Sequence, residues 1–321
     1  MKKLFMAFCV FFIIFSGVNA MAADAFPTRP IEITIGFGPG GGTDLGARMV
    51  AEHSKKDLGV DVVCLNKPGG AGRVAATLMS KGKPNGYSLT ATTDGPMISK
   101  PHLEDVTYTL DDFTFLCQYG ILNFAVSVLP NSPFKTLNDL IDFVRKNPGE
   151  LTMGIVGKNT SDHIAWQALS NYENLKIKFV PFKGAATTMT GLLGGHVMAV
   201  TTAASGYAPH VKSGTIRLLA TYSKERLEEH PNTPTFKELG YPYMLLQSWY
   251  ILYGPKGMEK PVVDKLIGAF RKAIKTPEFT KFAQDLEVYS ENPLFGEDLK
   301  KAIVQRSNNN AEVFKKLGLM K

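Results

Sequence analysis

Short apolar runs alternate with helix-like stretches through the first part of the chain. The apolar runs are IEITIGF (31–37), VDVVCL (60–65) and YSLTATT (87–93), and helix-like stretches lie between them at 44–58 and 71–82. This βαβαβ order predicts a parallel sheet with helices on its faces. Because such crossovers are right-handed, each strand-to-helix loop is expected at the same, carboxyl edge of the sheet.

The pattern restarts after Pro130, beyond two strand-like runs in FTFLCQYGILNFAVSVLP (113–130). The stretch TLNDLIDFVRKNP predicts a helix with Thr136 as N-cap and Pro148 beyond its end. Further strands and helices are predicted in LTMGIVG, SDHIAWQALSNY, IKFVPF, AATTMTGLLGG, VMAVTTA, YAPHVKSG and IRLLATY. Together these stretches indicate a second α/β unit.

The C-terminal region contains two helix-like stretches without strands of their own. PVVDKLIGAFRKAIKT has Pro261 in its first turn, and apolar residues recur at every fourth position from Val262 to Ile274. A final helix is predicted from Glu297 to about Leu317. We expect both helices to pack back on the first unit, which the second unit then interrupts.

The predicted fold is therefore two-domain α/β, and each domain has a mainly parallel sheet flanked by helices. The first domain is discontinuous and comprises residues 23–128 and 245–321, whereas the second comprises 129–244. A cleft between two such domains is a natural ligand site and a natural hinge.

The N-terminus has the pattern of a secretory signal peptide at residues 1–22. Lys2 and Lys3 precede an unbroken apolar run of twelve residues, Leu4 to Phe15, and small residues follow around Ala20. A membrane-spanning helix would need roughly 20 apolar residues. We therefore expect export to the periplasm and cleavage near Ala23.

Charge and cysteine content add little to this picture. The formal net charge is +7, and the lysines and arginines are scattered, which argues against a nucleic-acid surface. Cys64 and Cys117 remain after cleavage, and they either pair or stay as buried thiols, with the thiols favoured. We expect a monomer.

The loop GFGPGG (36–41) formally matches the G-x-G-x-x-G dinucleotide fingerprint. Pro39 removes a backbone donor, and the second strand ends in Asn66-Lys67 where a ribose-binding acid is expected, so a dinucleotide site is disfavoured. A helix beginning at Thr43 or Asp44 instead presents amides without internal partners and a partial positive charge, which together hold an anion. Two alternatives remain: a tight turn without ligand, and Asp44 as an ordinary N-cap.

Loops of similar composition follow the other predicted strands. They are TTDGP (92–96), GKNTSDH (157–163), PFKGAAT (181–187) and TTAASG (201–206), and all carry hydroxyls or glycines. At the facing edges of two domains, such loops form a polar box of amides and hydroxyls that suits carboxylates.

Signals for catalysis are weak. The histidines lack zinc spacing, no G-x-S-x-G elbow occurs, and no cofactor is expected. His163 is interpreted as a residue that orients its loop rather than as a base, and Lys183 as either an anion contact or a solvated side chain. An exported enzyme acting on an acidic substrate would depend on His163 or Asp44, but no nucleophile–base pair supports it.

Ten stretches, in order, resemble the extracytoplasmic solute-binding proteins of tripartite tricarboxylate transporters, the TctC or Bug family. They are FPTRPIEI, GFGPGGGTDLGAR, NKPGGAGRVAA, PNGYSL, DDFTFL, PNSPFKTLNDLI, VPFKGAAT, LLGGHV, HPNTPTFKELGYP and WYILYGPKGMEKPVV. Each alone is weak, but together they cover nearly all of the predicted mature chain.

This resemblance implies a type II periplasmic binding protein that binds a small carboxylate without catalysis and delivers it to membrane permease subunits. It also implies which residues contact the ligand: Phe37, Gly40, Gly41, Thr43, Asp44, Thr93 and Asp94 in the first domain, and Thr160, Ser161, His163, Lys183, Gly184, Ala185, Thr202, Ala203 and Ser205 in the second.

The chain departs from the family pattern at Gly38, where a second proline is common, and at Gly42, where a bulkier residue is common. It also departs at Lys158 and Asn159, where small residues are usual. Lys158 either adds charge for a second carboxylate or points into solvent. The sequence does not distinguish a transporter receptor from one that serves a sensor kinase. It also leaves the particular carboxylate open.

Overall fold

The computed structural model describes residues 26–241, 244, 247–316 and 318–320. The signal peptide predicted at 1–22 lies outside these residues. Within the described part of the chain, no helix is long and apolar enough to span a bilayer.

The first sheet is built from β1 (Ile31–Ile35), β2 (Val62–Asn66), β3 (Ser88–Thr93), β4 (Phe113–Leu122) and β10 (Ser248–Pro255). Their order across the sheet is β2-β1-β3-β10-β4. β1 pairs in parallel with β2 and β3, whereas β10 is antiparallel to both β3 and β4. Every strand except β10 therefore points the same way, as the predicted mainly parallel sheet requires.

The second sheet repeats this plan with β5 (Phe124–Val128), β6 (Thr152–Ile155), β7 (Lys178–Pro181), β8 (Ala199–Ala203) and β9 (Arg217–Thr221). The order is β7-β6-β8-β5-β9, with β5 antiparallel to both of its neighbours. In each sheet, the antiparallel strand is the one that the chain forms immediately after it crosses from the other domain.

Helices cover both sheets. Those of the first domain are α1 (Gly42–Leu58), α2 (Arg73–Met79), α3 (Gly95–Ile98), α4 (Lys100–Leu103), α9 (Lys260–Ala273), α10 (Pro277–Asp285) and α11 (Gly296–Lys316). Those of the second are α5 (Leu137–Lys146), α6 (Ser161–Tyr172), α7 (Ala185–Leu193) and α8 (Ala204–Lys212). α9 packs on α1, and α11 packs on β4, so both predicted C-terminal helices lie on the first domain.

The chain crosses from the first sheet to the second between Leu122 and Phe124. β5 hydrogen-bonds to β8 and β9, so Phe124–Val128 lies in the second sheet. The sequence had predicted that the first domain extends to residue 128. The return crossing precedes β10, which begins at Ser248.

Two local sequence signals act as predicted. Thr136 caps α5: its hydroxyl accepts a hydrogen bond from the amide of Asp139, whose carboxylate accepts one from the Thr136 amide. Pro261 lies in the first turn of α9, and Leu266 and Phe270 are fully buried. The helix α10 has no counterpart among the predicted elements.

The α1 helix packs on the sheet mainly through small residues. Leu45 and Met49 are only partly buried, whereas Ala47, Val50 and Ala51 are buried beside the isoleucines of β1. Small alanines let the helix approach the sheet closely, and this brings its N-terminus to the edge of the sheet.

The two cysteines of the described chain, Cys64 and Cys117, are both free. Burial raises the pKa of the Cys64 thiol to about 11, so it stays protonated at neutral pH. Both therefore behave as small apolar residues of the first domain.

Candidate functional site

A closed cavity of about 50 Å³ lies between the carboxyl edges of the two sheets. A single water needs roughly 10–15 Å³ on this scale, so the cavity holds a molecule several times larger than water. Both domains line it, with Phe37, Gly38, Gly41, Gly42, Thr43, Ala71, Thr93, Gly95, Leu122, Ser248 and Tyr250 from the first and Phe124, Val156, Asn159, Thr160, Ser161, Asp162, Gly184, Ala185 and Ala203 from the second.

Helix N-termini from both domains converge on this cavity. The first residues or N-caps of α1, α6, α7 and α8 all line it. In none of these four helices does the N-cap side chain accept a hydrogen bond from a first-turn amide. Thr136 caps α5 and Thr276 caps α10, whereas α2, α4 and α9, whose N-caps do not line the cavity, also lack a side-chain cap. The helices that face the cavity thus leave first-turn amides without a capping side chain.

The glycine loop after β1 is shaped by Asp44, which lies in the first turn of α1. Its carboxylate accepts hydrogen bonds from the Gly40 amide (2.9 Å), from Arg48 Nε (2.9 Å) and from Asn66 Nδ2 (2.8 Å). Gly40 has a left-handed backbone (φ +80°), which favours glycine. Asp44 therefore holds the loop and is itself turned away from the cavity.

The second-domain loop before α6 is held in a similar way by His163. The Asn159 amide donates to His163 Nδ1 over 3.0 Å. Burial lowers the pKa of His163 to about 4, so the ring is neutral at physiological pH and its Nδ1 can accept this bond. Thr160 Oγ1 donates to the Gly157 carbonyl (2.9 Å) and closes the same turn.

Direct contacts between the domains show that the cleft is closed. The Gly38 amide donates to the Lys183 carbonyl over 2.9 Å, and the Gly42 amide donates to Ser205 Oγ over 3.2 Å. A β-carbon at Gly42 would overlap the Tyr250 hydroxyl, so a larger residue here would force Tyr250 to move. The backbones of the two glycine loops therefore approach each other closely around the cavity.

The residues predicted as ligand contacts divide into two groups. Those that line the cavity are Phe37, Gly41, Thr43, Thr93, Thr160, Ser161, Gly184, Ala185 and Ala203. Those that lie beside it without lining it are Gly40, Asp44, Asp94, His163, Lys183, Thr202 and Ser205.

The residues that lie beside the cavity hold the lining residues in place. Asp94 is fully buried and accepts hydrogen bonds from Ser248 Oγ and Arg306. Ser205 Oγ accepts from the Gly42 amide and bonds to the Tyr250 hydroxyl. Lys183 offers its carbonyl to Gly38, while its side chain is exposed.

Several lining residues carried no sequence signal. Leu122, Phe124, Ser248 and Tyr250 lie where the chain crosses between domains, and nothing in their local pattern marks a ligand site.

Other lining residues lie in or near loops that the sequence did identify. Gly38 and Gly42 belong to the glycine loop and could have been included with it. Ala71, Gly95, Val156, Asn159 and Asp162 adjoin predicted loops or lie within them.

Asp162 carries a buried carboxyl group that lines the cavity and makes no hydrogen bond of good geometry. Burial raises its pKa to about 6, and nearby hydroxyl and amide groups lower the pKa by less. Since the folded pKa exceeds the unfolded one, the stability that this group contributes is complete below pH 4 and is lost as the pH rises towards 6.

Replacing Asp162 by asparagine is therefore expected to raise the free energy of unfolding at pH 8 relative to wild type. The stability difference between Asp162→Asn and wild type should be larger at pH 8 than at pH 4, by up to roughly 3 kcal/mol. This increase is the free-energy equivalent of the pKa shift of Asp162. Urea unfolding of both proteins without ligand, at pH 4 and pH 8, measures this difference. An equal difference at both pH values would show that the carboxyl group does not titrate in this range.

The fold and the site define a class of protein. Two α/β domains that close on a small cavity lined by uncapped helix N-termini form a solute-binding protein of the type II periplasmic binding fold. Residues 46–319 match the family described as "Tripartite tricarboxylate transporter family receptor", and the chain belongs to that family.

Three relatives illustrate the similarity. A Cupriavidus necator protein, described as "UPF0065 protein in gbd 5'region", is 34% identical over 314 residues, which is 95% of this chain and 94% of the relative. The structure of the periplasmic binding protein BugD has a TM-score of 0.84 at 26% identity, covering 92% of this chain and 100% of BugD. MatC from Rhodopseudomonas palustris, solved with bound malate, has a TM-score of 0.83 at 22% identity, covering 90% and 99%, and shows the fold alone.

The chain is thus a substrate-binding receptor of the tripartite tricarboxylate transporter family, which works with membrane subunits. Receptors of this family are periplasmic, and the family is a class of binding proteins rather than of enzymes.

Proposed function

We propose that the protein captures a small organic acid in the closed cavity, with one carboxylate held by first-turn amides of α1 and the second-domain helices. The observation that carries this proposal is that the N-termini of α1, α6, α7 and α8, from both domains, line the cavity without a capping side chain. Exposed amides and the positive end of the helix dipole hold an anion without a lysine or arginine.

The contacts are assigned to the lining residues. In the first domain, the carboxylate lies against Gly41 and Thr43, and in the second it lies against Ser161 and Ala185. Gly40, Asp44, Asp94, His163, Lys183, Thr202 and Ser205 position these groups without contacting the acid.

The size and lining of the cavity favour a short acid. About 50 Å³ excludes bulky ligands in the closed state, and Phe37, Leu122, Phe124 and Val156 supply an apolar wall. A compact dicarboxylate of about the size of malate, the ligand of MatC, fits both features.

We further propose that binding proceeds without chemistry. His163 is neutral and uses Nδ1 to hold the Asn159 amide, and the Asp44 carboxylate is committed to three donors. Neither lines the cavity, so neither stands within reach of a bound acid as a base. Export through the N-terminal signal sequence at 1–22 would bring the protein to its membrane partners.

A melting-temperature panel tests this function. Malate, succinate, citrate, glutamate and benzoate are added to the signal-free protein, and the diamide of malic acid serves as an uncharged control. Since a ligand at 100 times its Kd stabilises the folded state by about 2.7 kcal/mol, at least one acid should raise the Tm by several degrees while the diamide does not. No shift with any acid, or an equal shift with the diamide, would contradict a carboxylate site.

A further inference from the structure

A cluster of charged and polar side chains joins the domains beside the cavity. Lys100 Nζ donates to Glu104 Oε1 over 2.7 Å within the first domain and to the Lys158 carbonyl over 3.1 Å in the second. Glu104 Oε1 also accepts a hydrogen bond from Asn159 Nδ2, again across the cleft, over 2.8 Å. Arg73 Nε lies 3.5 Å from Glu104 Oε2.

Lys100 is unusual because it is 1% exposed, and lysine is rarely buried unless it is paired. Its ammonium group is satisfied only in part by its own domain, because the Lys158 carbonyl belongs to the opposite domain. When the cleft opens, both cross-cleft contacts are lost and water reaches the ammonium group. The cluster is therefore complete only in the closed state.

The cluster also bears directly on the cavity through Asn159. This residue lines the cavity and has a left-handed backbone (φ +57°), and its amide is held by His163. Glu104 and Lys100 do not line the cavity. They contact the loop that does, and they contact it from the opposite domain.

We propose that Lys100 and Glu104 form a latch that holds the 157–160 loop against the first domain and so sets the fraction of closed protein. The latch rests on the proposed function, because closure is what completes the acid site. It raises affinity without touching the acid, since apparent affinity scales with the population of the binding-competent state. Lys158 and Asn159, the departures noted in the loop sequence, supply the second-domain half of the latch.

Charge balance inside the closed cleft determines the effect of each substitution. Glu104→Gln leaves the Lys100 ammonium group buried on closure without a carboxylate, and an uncompensated buried charge is strongly unfavourable. In the open state, the same ammonium group is hydrated, so the penalty falls on closure. Lys100→Met/Glu104→Gln removes both charges and keeps the apolar stem, which removes most of that penalty.

The test is a binding series with malate as the probe, or with the acid that gives the largest Tm shift if malate gives none. Glu104→Gln should raise the Kd about tenfold or more, and the double variant should raise it by less, because it loses the bond to the Lys158 carbonyl but buries no unpaired charge. Asp285→Asn, which removes an exposed ion pair with Lys281, is the matched control and should leave the Kd unchanged. Wild-type affinity in either Glu104→Gln or the double variant would overturn the latch.

An acid-free measurement separates failure of the latch from failure of the function. Lysine acylation followed by mass spectrometry gives the reactivity of Lys100 relative to the exposed Lys281 in the same sample. Lys100 should react several-fold faster in Glu104→Gln than in wild type, because the open state is more populated. Equal reactivity in the two proteins would overturn the latch even if no acid binds, whereas the function itself fails only if wild type binds no acid.

Discussion

Replacing Gly157 by valine is expected to weaken acid binding about 100-fold while leaving the acid-free fold intact. A β-carbon at Gly157 would lie 2.9 Å from the β-carbon of Ala71, which belongs to the opposite domain, and its three nearest atoms are all from Ala71. Gly157 does not have the left-handed backbone that favours glycine, so a side chain is not excluded there on that ground. The clash therefore exists only when the cleft closes.

The size of this effect follows from the cost of overpacking. Extra methyl groups in a close-packed contact cost about 1–3 kcal/mol, and the upper end corresponds to roughly two orders of magnitude in Kd. Isothermal titration with the acid found by the melting panel measures the Kd. Gly268→Ala is the control, because nothing lies within 4 Å of the added β-carbon. Binding by Gly157→Val at wild-type strength would mean that the acid is held without closure.

Replacing Asp44 by alanine is expected to lower the free energy of unfolding by about 2–3 kcal/mol and to weaken acid binding tenfold or more. The carboxylate is 3% exposed and satisfies the Gly40 amide, Asn66 and Arg48. Removing it leaves three part-buried hydrogen bonds unmade, and each should cost about 1 kcal/mol, the low end of the range for an unpaired donor. Arg48 is partly exposed, so water can hydrate its charge and limit the loss.

Urea unfolding and titration with the acid measure the two effects of Asp44→Ala. Asp285→Ala is the comparison, because that carboxylate is exposed and pairs only with Lys281 among the ion pairs of the described residues; its removal should cost well under 1 kcal/mol. If Asp44→Ala lost stability but kept wild-type affinity, the shape of the glycine loop would not matter for binding.

The sequence predicted much of the cavity because parallel strands end at one edge of a sheet. The loops after β1, β3, β6, β7 and β8 were identified from their position in the pattern, and all five contribute lining residues. Tyr250 and Ser248 were not identified, since they lie at the start of a strand. β10 is antiparallel to its neighbours, so its first residues lie at the edge where the other strands end.

The direction of a loop side chain is not contained in the loop sequence. Asp44, Asp94 and His163 are the most reactive groups in these loops, yet each is turned into its own domain to hold a turn or a neighbouring element. The cavity is lined by the N-termini of helices, by an apolar wall that includes Phe37 and Phe124, and by the carboxyl group of Asp162. A loop sequence shows which residues are polar, but their direction depends on partners such as Asn66 and Arg306, which are distant in the chain.

The first crossing between domains depends on contacts that no local pattern contains. Phe124–Val128 reads as a strand in either domain, and its place in the second sheet follows from pairing with β8 and β9, more than seventy residues later. The C-terminal helices were easier to assign, because a helix with one apolar face and no strand of its own must cover an existing sheet.

A crystal structure of the protein with the best acid of the melting panel tests the central claim most directly. We predict one carboxylate in the closed cavity, with its oxygens within hydrogen-bond distance of first-turn amides of α1 and of at least one second-domain helix. A carboxylate that faces solvent, or an acid bound outside the space between Gly41 and Ala185, would contradict the account.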